Sequence, residues 1–194
     1  MQDYGAPVGW RLSLNHPERI TAIVTQNGNA YDDGFDDAFW GPVWDFNENW
    51  TEEKAASMAD VLGLDAMKWQ YTHGVPDPSL VSPDGWTQDF ALISRPGVLE
   101  AHAALLAKYS TNRDLHPKVH EYFRQSQVPL LAVWGKNDQI FIAPGATAFS
   151  RDLPKAEIHL LNGGHFLLES HIEEAGALIR EFLSRTLLSD RPPV

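Results

Sequence analysis

The last third of the chain alternates between apolar strand patterns and amphipathic helix patterns, and this alternation constrains the fold most. The segment "VPLLAVWG" has the continuous apolar run of a buried strand, and "APGATAFSRDL" after it has a helical pattern. A second strand, "AEIHLLN", precedes the long amphipathic helix "IEEAGALIREFLSRTLL". Strands that alternate with helices over short links form a parallel sheet covered by helices. We therefore predict an α/β fold for residues 128–194.

The first 30 residues show the same alternation of helix and strand patterns, whereas the middle of the chain does not. A turn, the helical "PVGWRLSLNHPERI" and the apolar "ITAIVTQN" follow one another at the start. Residues 31–127 are rich in Trp and Asp, with helical periods interrupted at "WGPVW", "HGVPDP", "VSPDG" and "SRPG". We predict an α/β core made of residues 1–30 and 128–194, interrupted by a helical insertion over residues 31–127.

Composition narrows the classes of function. A formal net charge of −11 argues against partners such as nucleic acid or an anionic membrane. The chain has no cysteine, which excludes a disulfide framework, a thiolate nucleophile and a cysteine zinc cluster. It shows neither an apolar run of about 20 residues nor a signal-peptide pattern. We expect a soluble cytoplasmic protein that acts on a small molecule without a cofactor.

Three polar residues stand where the predicted strands end and their loops begin. Asp3 lies in "QDYGAP", Asp138 follows a strand in "WGKNDQIF", and His165 follows the next strand in "NGGHFLLE". Functional groups of parallel sheets collect at these carboxyl ends. A carboxylate can attack a polarised carbon to give an ester, and a histidine can then activate water to hydrolyse it. A second carboxylate orients the histidine and stabilises its cation.

These motifs resemble the α/β-hydrolase superfamily, in its branch of haloalkane dehalogenases and epoxide hydrolases with an aspartate nucleophile. Gln2-Asp3-Tyr4-Gly5, with Pro17-Glu18-Arg19 downstream, is similar to the nucleophile elbow and the helix after it. "WGKNDQIF" resembles the acid loop and "GGHFLLE" the base loop. The resemblance implies Asp3 as nucleophile, Asp138 as acid and His165 as base. It also implies that the Tyr4 backbone N–H forms part of the anion site and that residues 31–127 are the cap.

Departures from the family pattern bear on the substrate. Tyr4 replaces the tryptophan that helps to hold halide in dehalogenases, and Asn27 stands where some of them place their acid. Epoxide hydrolases of this kind use two cap tyrosines as proton donors, for which Tyr31, Tyr71, Tyr109 and Tyr122 are the candidates. We place epoxide opening above carbon–halogen cleavage; an ester or carbon–carbon hydrolase stays an alternative. The residues expected to line the substrate pocket are Asn27, Tyr31, Trp40, Tyr71, Tyr109 and Phe166.

The family's first five strands, and a loop that supplies an oxyanion-hole donor, would precede Met1. We therefore expect the chain to be the C-terminal two-thirds of a hydrolase fold, with an exposed sheet edge. The alternative to an enzyme is an inactive remnant or an interaction module that pairs through this edge with another copy.

Two patterns that suggest metal binding have simpler interpretations. "YDDGFDDAF" lacks the spacing and the closing Glu of an EF-hand, so we expect a solvated acidic turn. His116 and His120 lie four apart on a predicted helix without a third ligand, so we expect a surface pair. The five tryptophans of the insertion are each expected to close its core more often than to line a pocket. We expect no metal site.

Overall fold

The computed structural model describes residues 1–54 and 62–188; the parts of the predicted segments at 55–61 and 189–194 lie outside the described residues. Three strands form the sheet: β1 Ile23–Gln26, β2 Leu130–Gly135 and β3 Glu157–Leu161. The helices of the first part of the chain are α1 Gly5–Asn15, α2 Asp37–Glu48, α3 Leu64–Thr72, α4 Pro83–Ile93 and α5 Val98–Leu106. Those that follow are α6 Ser110–Arg113, α7 His116–Ser126, α8 Ala143–Thr147, α9 Leu167–Ser170 and α10 Ile172–Leu188.

The sheet has the order β1-β2-β3, and both neighbouring pairs are parallel. Ile23 pairs with Leu130 and Leu131 pairs with Glu157, so β2 is the central strand of the three. All six residues of β2 are buried, as expected for a strand covered on both faces. The predicted α/β fold, with a parallel sheet flanked by helices, is confirmed. Gln2 also bridges Gln26 in parallel, which places the start of the chain beside β1.

Alternate residues of β2 supply two cores, one on each face of the sheet. Leu130, Ala132 and Trp134 belong to a large core that includes Trp10 of α1 and Phe123 of α7. Leu131 and Val133 point to the other face and pack with residues of α9 and α10, namely Leu167, Ala175 and Phe182. This period of two follows from the pleat of a strand. Burying each large apolar side chain contributes about 1.5–3 kcal/mol, so the two cores hold the strand ends in place.

An aromatic cluster joins the middle of the chain to the sheet. Trp40 of α2 packs on Phe141, with ring centroids 5.3 Å apart, and its indole N–H donates to the Ile140 carbonyl at 2.6 Å. Tyr109 packs on the same indole at 4.4 Å. Since Phe141 follows the loop after β2, these contacts fix α2 and the α5–α6 corner above the carboxyl ends of the strands. Among the described residues, no helix is long and apolar enough to cross a membrane.

Candidate active site

Asp3 occupies a tight turn between the segment beside β1 and helix α1. The Gly5 N–H donates to the Gln2 carbonyl at 2.7 Å and the Ala6 N–H donates to the Asp3 carbonyl at 2.9 Å. The backbone of Asp3 has φ 41°, a left-handed conformation that costs a non-glycine residue about 1–2 kcal/mol. This turn places the Asp3 carboxylate at the N-terminus of α1. The Tyr4 backbone N–H next to it makes no hydrogen bond to a described residue.

His165 lies between two carboxylates and is buried. Its Nδ1 donates to Asp138 Oδ2 at 2.9 Å, and its Nε2 lies 3.6 Å from Asp3 Oδ2. The Nε2 atom has no hydrogen-bond partner among the described residues. Burial favours the neutral ring, but the two carboxylates, with Asp138 the stronger, outweigh it and raise the pKa of His165 to about 10. The predicted triad residues therefore lie together, although they come from loops at positions 3, 138 and 165.

Asn27 holds Asp138 in place and is not among the residues that line the cavity beside Asp3. It is fully buried, and its Nδ2 donates to Asp138 Oδ2 at 2.7 Å. Its Oδ1 accepts from the Gly135 N–H at 2.9 Å and from Gln26 Nε2 at 2.6 Å. The Ile140 N–H donates to the other oxygen of Asp138 at 2.8 Å. The structure thus corrects the expected place of Asn27, because the end of β1 lies beneath the acid loop.

Two glutamine side chains hold the backbone of the loop that carries His165. Gln26 Nε2 donates to the His165 carbonyl at 2.8 Å, and Gln2 Nε2 donates to it at 3.3 Å. A methyl group on Gly135 would overlap the carbonyl oxygen of Gly164, so the acid and base loops approach through glycines. The backbone of these loops therefore fixes the distance between Asp138 and His165.

An apolar cavity of about 510 Å³ opens beside Asp3. Its polar side chains besides Asp3, Tyr4 and Tyr109 are Gln70 and His102, and no Lys or Arg is found among its lining residues. The apolar lining consists of Val8, Phe39, Trp40, Leu62, Leu105, Leu106 and Ile140. Most of these residues were not selected from the sequence. The sequence does contain a signal for one side of the cavity. Residues 102, 105, 106 and 109 recur at i, i+3, i+4 and i+7, which places them on one face of a predicted helix.

Tyr109, one of the tyrosines of the predicted helical insertion, lies in this cavity. It is 3% exposed, and its hydroxyl makes no hydrogen bond to a described residue. Burial, and then the charges of Asp3 and Tyr4, raise its pKa well above the ordinary value, so the phenol stays protonated. Its ring meets the Tyr4 ring edge-on at 5.2 Å. Burial also raises the pKa of Tyr4 to about 12, against the opposing effect of the Asn112 side chain.

The other tyrosines expected near the substrate lie elsewhere. Tyr31 donates to Asp152 at 2.9 Å and stacks on His120, outside the cavity. Tyr71 donates to Asp89 at 2.6 Å and stacks on Phe166, which is edge-on to His165 at 5.0 Å but also outside the cavity. Tyr122 lines a separate surface groove. Of the six expected pocket residues, the structure therefore brings Trp40 and Tyr109 to the cavity beside Asp3.

The two patterns considered for metal binding serve other purposes. In the acidic turn, Asp32 pairs with Arg113 and Asp33 with Arg151, so these carboxylates are bound and not merely solvated. His116 is buried, in contrast to the expected surface position, and lies 3.4 Å from Asp32. Burial lowers the pKa of His116 to about 4. Within the described part of the chain, no three His, Asp or Glu side chains are arranged to hold a metal ion.

Comparisons with known proteins identify the family of the chain. Residues 2–172 match the model of the alpha/beta hydrolase fold family. An uncharacterised hydrolase of Saccharomyces cerevisiae is 40% identical over 173 residues, which are 88% of this chain and 60% of that protein. Epoxide hydrolase 3 of Mus musculus is 26% identical over 95% of this chain and 51% of its own length. The chain thus spans between half and two thirds of the length of these relatives.

Solved structures share the fold at lower identity. The haloalkane dehalogenase DatA from Agrobacterium tumefaciens C58 has a TM-score of 0.71 and 17% identity, over 95% of this chain and 65% of that one. A mutant epoxide hydrolase of Vigna radiata has a TM-score of 0.66 and 20% identity, over 95% of this chain and 69% of its own. At these identities the two structures support the fold alone.

Proposed function

The chain belongs to the α/β-hydrolase fold family, and from this premise we propose that it hydrolyses small apolar epoxides through an ester on Asp3. The observation that carries the proposal is the position of Asp3. Its carboxylate lies 3.6 Å from the free Nε2 of buried His165 and borders an apolar cavity that contains the unpaired hydroxyl of Tyr109. A nucleophile and a proton donor therefore border one cavity, and the base lies 3.6 Å from the nucleophile.

In the first step, an Asp3 carboxylate oxygen attacks a ring carbon of the epoxide. The carbon–oxygen bond of the strained ring breaks, its electron pair goes to the ring oxygen, and the Tyr109 hydroxyl supplies the proton. A phenol with a raised pKa suits this role because it stays protonated until the alkoxide forms. The product of this step is a hydroxyalkyl ester of Asp3.

In the second step, water attacks the carbonyl carbon of the ester. His165 takes the proton of this water on Nε2, while Asp138 holds the ring through Nδ1 and stabilises its cation. The Tyr4 backbone N–H, at the N-terminus of α1, can donate to the oxyanion that develops on the Asp3 carbonyl oxygen. Collapse of the tetrahedral intermediate passes its hydroxyl proton to the departing oxygen, releases a diol and restores the Asp3 carboxylate, and Tyr109 takes up a proton from solvent.

The donors around the cavity favour an epoxide over an alkyl halide. A departing halide needs N–H donors, but the indole N–H of Trp40, the single tryptophan in the lining, is already bound to the Ile140 carbonyl. The residue after Asp3 is Tyr4, whose hydroxyl donates to the Leu105 carbonyl at 2.8 Å. The absence of Lys and Arg from the lining residues argues for neutral substrates, since nothing there would offset a negative charge.

Intact-protein mass spectrometry with styrene oxide tests this function. In His165→Gln, Asp3 should still be alkylated while hydrolysis stops, so a 1:1 adduct should accumulate on the peptide that contains Asp3. In Asp3→Asn, no adduct should form. His16→Gln, which changes an exposed histidine, serves as the matched control and should behave as the unaltered chain.

Turnover of styrene oxide to the diol by Asp3→Asn at the unaltered rate would refute the assignment of the nucleophile. A parallel reaction with 1-bromobutane tests the choice of substrate. Bromide release in the absence of diol formation from styrene oxide would keep the ester mechanism and overturn the assignment as an epoxide hydrolase.

A further inference from the structure

The corner between α5 and α6, which carries Tyr109, is bound by one side chain from α2. Asn47 Nδ2 donates to the Leu106 carbonyl at 2.7 Å, and Asn47 Oδ1 accepts from the Ser110 N–H at 2.8 Å. The same Nδ2 also donates to the Val43 carbonyl of its own helix at 2.8 Å. The two bonds across to the corner bracket Tyr109 in sequence, so a single amide defines the backbone on both sides of this tyrosine.

Tyr4 binds the same corner from the nucleophile turn. Its hydroxyl donates to the Leu105 carbonyl at 2.8 Å, and its ring lies edge-on against that of Tyr109. The carbonyls of Leu105 and Leu106 lie in the last turn of α5, and they also accept from the N–H groups of Lys108 at 3.1 Å and Tyr109 at 3.0 Å. Asn47 and Tyr4 thus each add a side-chain donor to one of these carbonyls, Asn47 from α2 and Tyr4 from the turn that carries Asp3.

We propose that Asn47 is a positioning residue that fixes the Tyr109 hydroxyl relative to Asp3, with the Tyr4 hydroxyl as a second tie; this inference rests on the proposed function. The Tyr109 hydroxyl has no protein partner of its own among the described residues, so ring packing and the backbone alone define its position. A displacement of about 1 Å at a reacting group can cost about 10²-fold in rate.

The chemistry of the contact requires an amide at position 47. One end of the side chain must donate to a carbonyl and the other must accept from an N–H, and Asn supplies both. A carboxylate, as in Asn47→Asp, keeps the acceptor for Ser110 but turns an anionic oxygen toward the Leu106 carbonyl. Asn47→Ala removes both bonds. We therefore expect both variants to alkylate Asp3 more slowly, with Asn47→Asp retaining the Ser110 contact alone.

Single-turnover alkylation by styrene oxide in a His165→Gln background isolates the step that Tyr109 assists. Asn47→Ala should slow adduct formation about 10- to 100-fold. Asn49→Ala is the matched control, because Asn49 is the same residue type at the end of α2 and its side chain bonds Asp45, not the corner. It should leave the rate unchanged within about twofold.

A double-mutant cycle separates positioning from general damage. If Asn47 acts through the Tyr109 hydroxyl, Asn47→Ala should have little further effect once Tyr109→Phe has removed that hydroxyl. Tyr4→Phe should show the same non-additivity. Full additivity of Asn47→Ala and Tyr109→Phe would overturn the inference, while leaving the ester mechanism intact.

Hydrogen exchange followed by NMR tests the tie without any reaction. The Ser110 amide should exchange faster in Asn47→Ala than in the unaltered chain, and Asn49→Ala should not change it. Unchanged protection of Ser110 in Asn47→Ala would overturn the inference even if styrene oxide fails to alkylate the protein. Absence of alkylation together with faster exchange would refute the proposed function and keep the tie.

Discussion

Replacement of Asn27 tests both the stability of the site and the role of its backbone. Asn27 combines full burial, a left-handed φ of 43° and side-chain bonds to Asp138, Gly135 and Gln26. Asn27→Ala removes the bonds and places a β-carbon without a polar group in the left-handed region. Asn27→Gly removes the same bonds but tolerates the backbone conformation. The pair therefore separates the two contributions to the free energy of unfolding.

The structure gives the expected size of each contribution. Asn27→Ala leaves the Gly135 N–H and Asp138 Oδ2 buried without this partner, at about 1–3 kcal/mol for each group. The left-handed conformation adds about 1–2 kcal/mol for alanine. The total of roughly 3–8 kcal/mol is a large part of the 5–15 kcal/mol by which domains are usually stable. Glycine avoids the second contribution but costs about 0.5–1 kcal/mol in unfolded-state entropy, so Asn27→Gly should be more stable than Asn27→Ala by up to about 1.5 kcal/mol.

Urea unfolding at pH 7, followed by tryptophan fluorescence, measures these differences through the midpoint and slope of the transition. Asn49 gives the control pair, because it is exposed and has φ −126°. At that position glycine should not be the more stable replacement. An Asn27→Ala variant within about 0.5 kcal/mol of the unaltered chain, or an Asn27→Gly variant less stable than Asn27→Ala, would refute the reasoning.

Two further predictions concern other parts of the site and its surroundings. Gly135→Ala should lower the free energy of unfolding by about 1–3 kcal/mol and displace the loop of His165, because the added methyl group meets the Gly164 carbonyl. Thermal unfolding measures the loss of stability, and turnover measures the effect of the displaced loop. An unchanged Tm would contradict the close approach. His116 has a pKa lowered to about 4 by burial, so the unfolded chain takes up its proton below about 6.5 while the folded chain does not. Stability should therefore fall as the pH decreases from about 6.5 to 4, and His116→Gln should flatten that decrease in urea midpoints measured across the window.

The three residues of the proposed mechanism could be selected from the sequence because each has a local signal. Asp138 and His165 directly follow apolar strands, and the carboxyl ends of parallel strands meet at one edge of the sheet. Asp3 precedes a helix in a turn that contains a glycine. Strand ends, turns and motif order are properties of short segments, so their detection does not require knowledge of how distant helices pack.

The choice among the tyrosines of the predicted insertion could not be made in this way. Tyr31, Tyr71 and Tyr109 are all buried. They differ in the group that tertiary packing places next to each hydroxyl. Tyr31 meets Asp152 and Tyr71 meets Asp89, whereas Tyr109 meets the cavity. The position of Asn27 likewise depends on a register between β1 and β2 that no local pattern encodes.

The burial of His116 had a signal that was available in the sequence. His116, Val119 and Phe123 recur at i, i+3 and i+7 on one helix, and all three are buried. His120 is four residues after His116, but its Nε2 bonds the Ala30 carbonyl at 2.8 Å. The expected surface position is therefore wrong for His116, which lies on the same buried face as Val119 and Phe123.

The charges around His165 also connect the two steps of the proposed mechanism. With both carboxylates ionised, the pKa of His165 is raised to about 10, so the resting histidine is protonated at neutral pH and cannot accept a proton. Formation of the ester removes the negative charge of Asp3, 3.6 Å from Nε2, and leaves Asp138 as the single carboxylate that favours the cation. Burial, which favours the neutral ring, then has more weight, and the pKa of His165 must fall. In the proposed mechanism the ring then releases its proton to solvent, so the first step produces the base that the second step requires.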